Sequence, residues 1–67
     1  MGNKIRERRL ELGISQDRLA ALSGVDRVNI SLIETGKNVN PSIKTLGKIA
    51  SALGTTVDDI FFAESVN

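Results

Sequence analysis

Residues 16–34 read QDRLAALSGVDRVNISLIE. Helix-forming residues run from Ser15 to about Leu22, Ser23-Gly24 interrupts them, and a second helical run follows from about Asp26 to Glu34. Ala20 is small where the second run must cross the first closely. Gly24 stands in the break, where a positive φ is wanted. Val25, Ile30 and Ile33 share one side of the second run and give it an inner face. Two short helices held at a sharp angle by a tight turn satisfy all of these spacings. That is the geometry of a helix-turn-helix, whose second helix fits the major groove of DNA.

The rest of the chain reads as helix around this unit. Residues 3–12 are rich in helix formers and stop at Gly13. Ser15 and Asp26 are placed to cap the two helices of the central unit. Residues 35–41, TGKNVNP, form a polar loop. A fourth helix opens at Pro41-Ser42, with either Asn40 capping and Pro41 as the first helical residue, or Ser42 as the cap. Its expected stripe is Ile43, Leu46, Ile49, Ala50 and Leu53, and Gly54 stops it. Thr56 with Asp59 three later resembles a capping box for a fifth helix, Val57 to about Phe62. Its core residues would be Val57, Ile60 and Phe61. In the second helix the apolar pair is Leu19 and Leu22. No alternation of period two is sustained, so no strand is expected. The chain reads as all-α, one domain over residues 1–67.

Composition then removes whole classes of function. A chain of 67 residues has room for one small core. It contains no Cys and no His. Disulfides, thiol nucleophiles, His-based triads and the usual zinc ligands are therefore excluded. Phe61 and Phe62 are its two aromatic residues, which argues against modules that stack single-stranded bases. No catalytic constellation and no cofactor or metal site is legible, and no small-molecule ligand is evident. The expectation is a binding module and not an enzyme. No apolar run reaches the length of a membrane span, and no signal peptide is present. The expected compartment is the cytoplasm, at the nucleoid.

The net charge of +1 conceals a division. Residues 1–48 carry all nine Lys and Arg and five of the eight acids, while Asp58, Asp59 and Glu64 lie beyond, with no cationic residue among them. A cationic body ends in an acidic tail, so the two parts suit different partners.

Helical periodicity identifies the outward face of the second central helix. With residues about 100° apart, Ile30 and Ile33 point inward. Val28 then points almost directly outward, Ser31 and Leu32 flank it, and Arg27 lies at the edge near the N-terminus. Arg27 has the forked donors that pair with guanine O6 and N7. Val28 and Leu32, four apart, suit contact with thymine methyls. Asn29, Lys37, Asn38, Asn40 and Ser42 lie along this helix and the following loop, and supply donors suited to phosphate oxygens.

At this level the sequence resembles the lambda-repressor-like, Cro-type (xenobiotic-response-element) helix-turn-helix family. The residues that carry the resemblance are Gln16, Leu19-Ala20, Gly24-Val25, Ile30-Ser31, Ile33-Glu34, Gly36-Lys37, Asn40-Pro41-Ser42 and Ile49-Ala50 through Leu53-Gly54. It covers about residues 4 to 62. The loop from Glu34 to Pro41 is one residue longer than the family's commonest form. The resemblance implies a five-helix DNA-binding domain that regulates transcription. It places Arg27, Val28, Ser31 and Leu32 at base-reading positions. It implies that Gln16 donates to a phosphate at the positive end of its helix. It also implies a structural ion pair between Arg9, late in the first helix, and Glu34, at the end of the third.

Phe62 falls off the core stripe of the fifth helix and neighbours Val66 in the tail. Domains this small commonly gain stability by oligomerising. Either Phe62 folds back as an edge of the core or, as the resemblance mostly implies, the fifth helix and the tail with Phe62 and Val66 form a twofold dimer, which sets two recognition helices about 34 Å apart on a palindromic operator. The reading that follows is a dimeric repressor of a bacterium or phage, of the size of restriction–modification controller proteins, with no room for a separate sensor. The alternative is an antitoxin-type interaction module with secondary DNA binding. That reading is weakened because about five residues follow the fifth helix.

Overall fold

A computed structural model describes residues 3–62 of the chain. In chain order its elements are α1 (Ile5–Glu11), α2 (Gln16–Ser23), α3 (Arg27–Glu34), α4 (Ile43–Ala52) and α5, a single wide π-helical turn (Asp58–Phe62). The fold is all-α, and α2 packs against both α3 and α4 while α5 rests on α1.

Local chemistry sets where these helices begin. The Ser15 hydroxyl accepts from the Arg18 N–H at 3.0 Å, and the Asp26 carboxylate accepts from the Val28 N–H at 3.0 Å. Each satisfies a backbone donor that the first turn of a helix leaves free. At α4 the choice between two caps falls to Ser42, whose Oγ accepts from the Thr45 N–H at 3.1 Å. The turn between α2 and α3 depends on Gly24, at φ +77°, whose N–H closes α2 by donating to the Ala20 carbonyl at 2.9 Å. A side chain in that left-handed conformation would be strained.

Among the described residues the buried core is aliphatic: Ile5, Leu19, Val25, Ile30, Ile33, Leu46, Ile49, Ala50, Leu53 and Ile60. Every element contributes to it. Ala20, Val57 and Phe61 pack against its edge. Burying a side chain of Leu or Ile size contributes about 1.5–3 kcal/mol, so this cluster supplies the main driving force of folding.

One residue assigned to a core stripe, Ile43, and one of the apolar pair in α2, Leu22, lie outside the core. Ile43 is 66% exposed. It is the first residue of α4, and the core opposite that helix begins a turn later, at Leu46. Leu22 is half exposed. It stands about 60° around the helix from Leu19, outside the narrow strip that α2 buries. The fifth helix also differs from the expected Val57–Phe62 α-helix. It begins with an α-type bond, Ile60 N–H to the Thr56 carbonyl at 3.3 Å, then widens. The Ile60 carbonyl accepts from the Lys4 N–H at 2.7 Å, which ties this turn to the start of α1.

Further long-range bonds fix α1. The Asn3 side chain donates to the Ile33 carbonyl at 2.8 Å and accepts from the Ile5 N–H at 3.1 Å. The Arg8 Nε donates to the Leu53 carbonyl at 3.1 Å, which satisfies an acceptor at the C-terminal end of α4. Neither anchor was legible in the sequence, because each joins residues 30 or more apart.

Candidate nucleic-acid interface

The exposed side of α3 carries Arg27, Val28 and Leu32, with Ser31 half-buried between them. Its opposite side is the buried Ile30 and Ile33. Val28 is 58% exposed, and Leu32 also faces outward. Other large apolar side chains among the described residues, such as Val39 and Ile43, are exposed as well. Eight residues of α3 give a rod of about 12 Å, matched to a major groove about 12 Å wide.

A polar network connects this surface to the interior. Arg9 Nε donates to Glu34 Oε2 at 2.8 Å and Arg9 Nη2 to Glu34 Oε1 at 3.2 Å, a two-pronged ion pair. The two side chains are 9% and 2% exposed. The remaining fork nitrogen, Nη1, donates to the Ile14 carbonyl at 3.0 Å, so α1, the loop before α2 and α3 are joined by one guanidinium. The Glu34 hydrogen bond raises the Arg9 pKa above its ordinary high value, against the opposing effect of burial, and keeps the charge in place. Gln16, the first residue of α2, donates its Nε2 to Glu34 Oε1 at 3.1 Å. An amide nitrogen carries two hydrogens, and this bond uses one of them.

Arg27 opens α3 beside the opening of α2. Its Nε lies 3.1 Å from Asp17 Oδ1, and its Nη1 donates to Gln16 Oε1 at 3.5 Å. Nothing in the spacing of the sequence singles out Asp17. Its proximity to Arg27 arises only when the turn folds α3 across α2.

The loop after α3 is organised by Asn38. Its backbone N–H donates to the Leu32 carbonyl at 2.9 Å. Its side-chain amide donates to Asn29 Oδ1 at 3.1 Å, and its Oδ1 accepts from the Asn40 N–H at 3.2 Å. Asn29, Asn38 and Asn40 thus form one cluster that holds the loop against α3. Lys37 is exposed at the loop. Ser42 is exposed too, with its hydroxyl committed to capping α4 and to Thr45 Oγ1 at 3.0 Å. Phe62's side chain and Val66, assigned to a dimer contact, lie outside the described residues.

No helix among the described residues is long and apolar enough to cross a membrane. A family model described as helix-turn-helix matches residues 5–60. An uncharacterized HTH-type transcriptional regulator of Bacillus subtilis, YgzD, is 37% identical over 67 residues, covering all of both chains. An uncharacterized HTH-type transcriptional regulator of Methanothermobacter thermautotrophicus is 42% identical over 65 residues, covering 96% of this chain and 93% of that one. The HTH-type transcriptional regulator PuuR of Escherichia coli is 40% identical over 60 residues, covering 90% of this chain and 32% of its own. With the α2–α3 turn, the capped exposed helix and the matched residues in agreement, the chain belongs to the Cro-type, XRE-like family of helix-turn-helix transcriptional regulators.

Proposed function

We propose that the protein is a dimeric repressor that reads a palindromic operator with α3 in the major groove. Arg27, Val28, Ser31 and Leu32 meet base edges. Gln16, Asn29, Lys37, Asn38, Asn40 and Ser42 face the flanking phosphates, the three asparagines as a unit that sets the loop's shape. The observation that carries this reading is the outward face of α3, where Val28 and Leu32 stay exposed beside Arg27. Two branched apolar residues four apart beside a forked donor suit a groove edge that offers thymine methyls next to guanine acceptors.

Two variants test the assignment on a duplex selected from a random pool and on random-sequence duplex. Arg27→Ala is expected to narrow the affinity gap between the two duplexes by about 1–3 kcal/mol. Gln16→Ala is expected to weaken both, and to narrow the gap much less than Arg27→Ala does, because a phosphate contact carries no sequence information and the Gln16 contact to Arg27 Nη1 is long. The reverse pattern would show that the two roles are exchanged. For the wild type, affinity for random duplex falls steeply as salt rises, since neutralised phosphates release counterions. Absence of duplex binding at low salt, or a flat salt response, would defeat the DNA reading altogether.

A further inference from the structure

We propose that Asp17 is a positioning residue that sets how strongly Arg27 discriminates between bases. The proposal rests on Arg27 being a base reader. Asp17 and Arg27 belong to different helices, and their side chains meet at the edge where α2 and α3 both begin. The Asp17 carboxylate lies 3.1 Å from Nε, on the inner edge of the guanidinium, and Gln16 Oε1 touches Nη1 at 3.5 Å. The end of the guanidinium, Nη1 and Nη2, is the fork that matches guanine O6 and N7, and Nη1 gives up its long Gln16 contact to reach the base. A free arginine side chain samples many rotamers and loses that freedom when it binds. One already held at Nε has less to lose, and its fork is aimed.

Magnitude separates this role from that of a lock holding Arg27 off the DNA. The paired side chains are 54% and 84% exposed, so the pair shifts an equilibrium by no more than about five-fold. A forked arginine–guanine contact discriminates by about 5- to 150-fold. The weaker contact can bias the stronger one but cannot withhold the side chain from it. Asp17 also has a general cost to DNA binding. It places a negative charge next to Gln16, at the helix N-terminus assigned to a phosphate, and so opposes every duplex alike. An acid there exchanges overall affinity for selectivity.

The test measures Asp17→Asn, Arg27→Ala and the double variant against three probes: the selected duplex, the same duplex with the guanine opposite Arg27 replaced, and random-sequence duplex. The exposed carboxylate can be lost without unfolding the domain, and a thermal melt of each variant verifies this. Asp17→Asn is expected to raise affinity for random duplex. It is also expected to shrink the preference for the intact guanine by about two- to five-fold. In the Arg27→Ala background Asp17→Asn should leave that preference unchanged, and Asp17→Glu, which keeps the charge, should retain most of it. If Arg27→Ala narrows the preference while Asp17→Asn leaves or widens it, the Asp17 proposal fails alone. The proposal also fails if the Asp17→Asn effect persists without Arg27. If Arg27→Ala leaves the preference unchanged, the base-reading assignment itself is wrong.

Discussion

At the scale of single residues, the Arg9–Glu34 pair and the outward face of α3 do opposite work. Glu34 is nearly sealed from water and accepts from three donors, two on Arg9 and one on Gln16. Removing Arg9 leaves that carboxylate without its counter-charge, at a cost of about 3–5 kcal/mol. A core this small supplies little more than that, so Arg9→Met is expected to lower the urea midpoint severely or unfold the domain. Replacing both members, Arg9→Met with Glu34→Met, should be less damaging than Arg9→Met alone, because no buried charge is stranded. Equal losses would mean that the pair's contacts matter, and not the desolvation of Glu34. Asp59 gives a second residue-scale prediction. Hydrogen bonds, first from the Thr56 and then from the Thr55 side chain, hold its carboxyl below the usual carboxylate range. A depressed native pKa means stability that is complete above the unfolded value and disappears as pH falls through the folded one. The wild type should therefore exceed Asp59→Asn in stability near neutrality, with the difference closing below about pH 4 in urea titrations.

At the scale of elements, the sequence was most informative where the determining interaction is local. Ser15 and Asp26 lie within three residues of the backbone donors they cap, and Gly24 answers a backbone angle of its own, so all three could be read in place. The inner face of α3 was legible because Ile30 and Ile33 fall on one helical side. Ile43 was misread because periodicity gives the direction of an apolar stripe and not how far along the helix its neighbour reaches. The cluster of Asn29, Asn38 and Asn40, and the meeting of Asp17 with Arg27, depend on where the chain returns after a turn. No spacing in the sequence encodes those encounters. The same local logic predicts two opposite glycine substitutions. Gly47 lies inside α4, does not share the positive φ of Gly24, and an added Cβ would meet nothing within 4 Å. Gly47→Ala should raise unfolding free energy by about 0.5–1 kcal/mol with an unchanged denaturant slope. Gly24→Ala finds equal space but a φ of +77°, and should destabilise by about 1 kcal/mol or more. A gain at Gly24 would contradict the backbone account of the α2–α3 turn, and a loss at Gly47 would contradict the helix-propensity account of α4.

At the scale of the whole molecule, charge division and dimerisation form one argument. All nine cationic residues precede residue 49, and three acids with no cation follow it. The turn that carries Asp58 and Asp59 rests on α1, while α3 is carried by α2. A cationic body proposed to face DNA and an acidic end proposed to meet another copy of the chain are compatible with a twofold axis through that end. Phe62 and Val66 are the apolar residues proposed to meet across it. Such a dimer reads two half-sites one DNA turn apart as a single rigid unit, and its affinity for the full site multiplies what one half-site supplies. Inserting about five base pairs between the half-sites turns one of them to the opposite face of the duplex. Affinity should then fall about 100-fold or more, to that of a single half-site. Phe62→Glu should bring the unexpanded operator to the same level, and should remove any rise of melting temperature with protein concentration. Undiminished binding to the expanded operator would mean that each half-site is read by an independent chain. A loss on expansion without any effect of Phe62→Glu would keep the dimer but move its axis away from the acidic end.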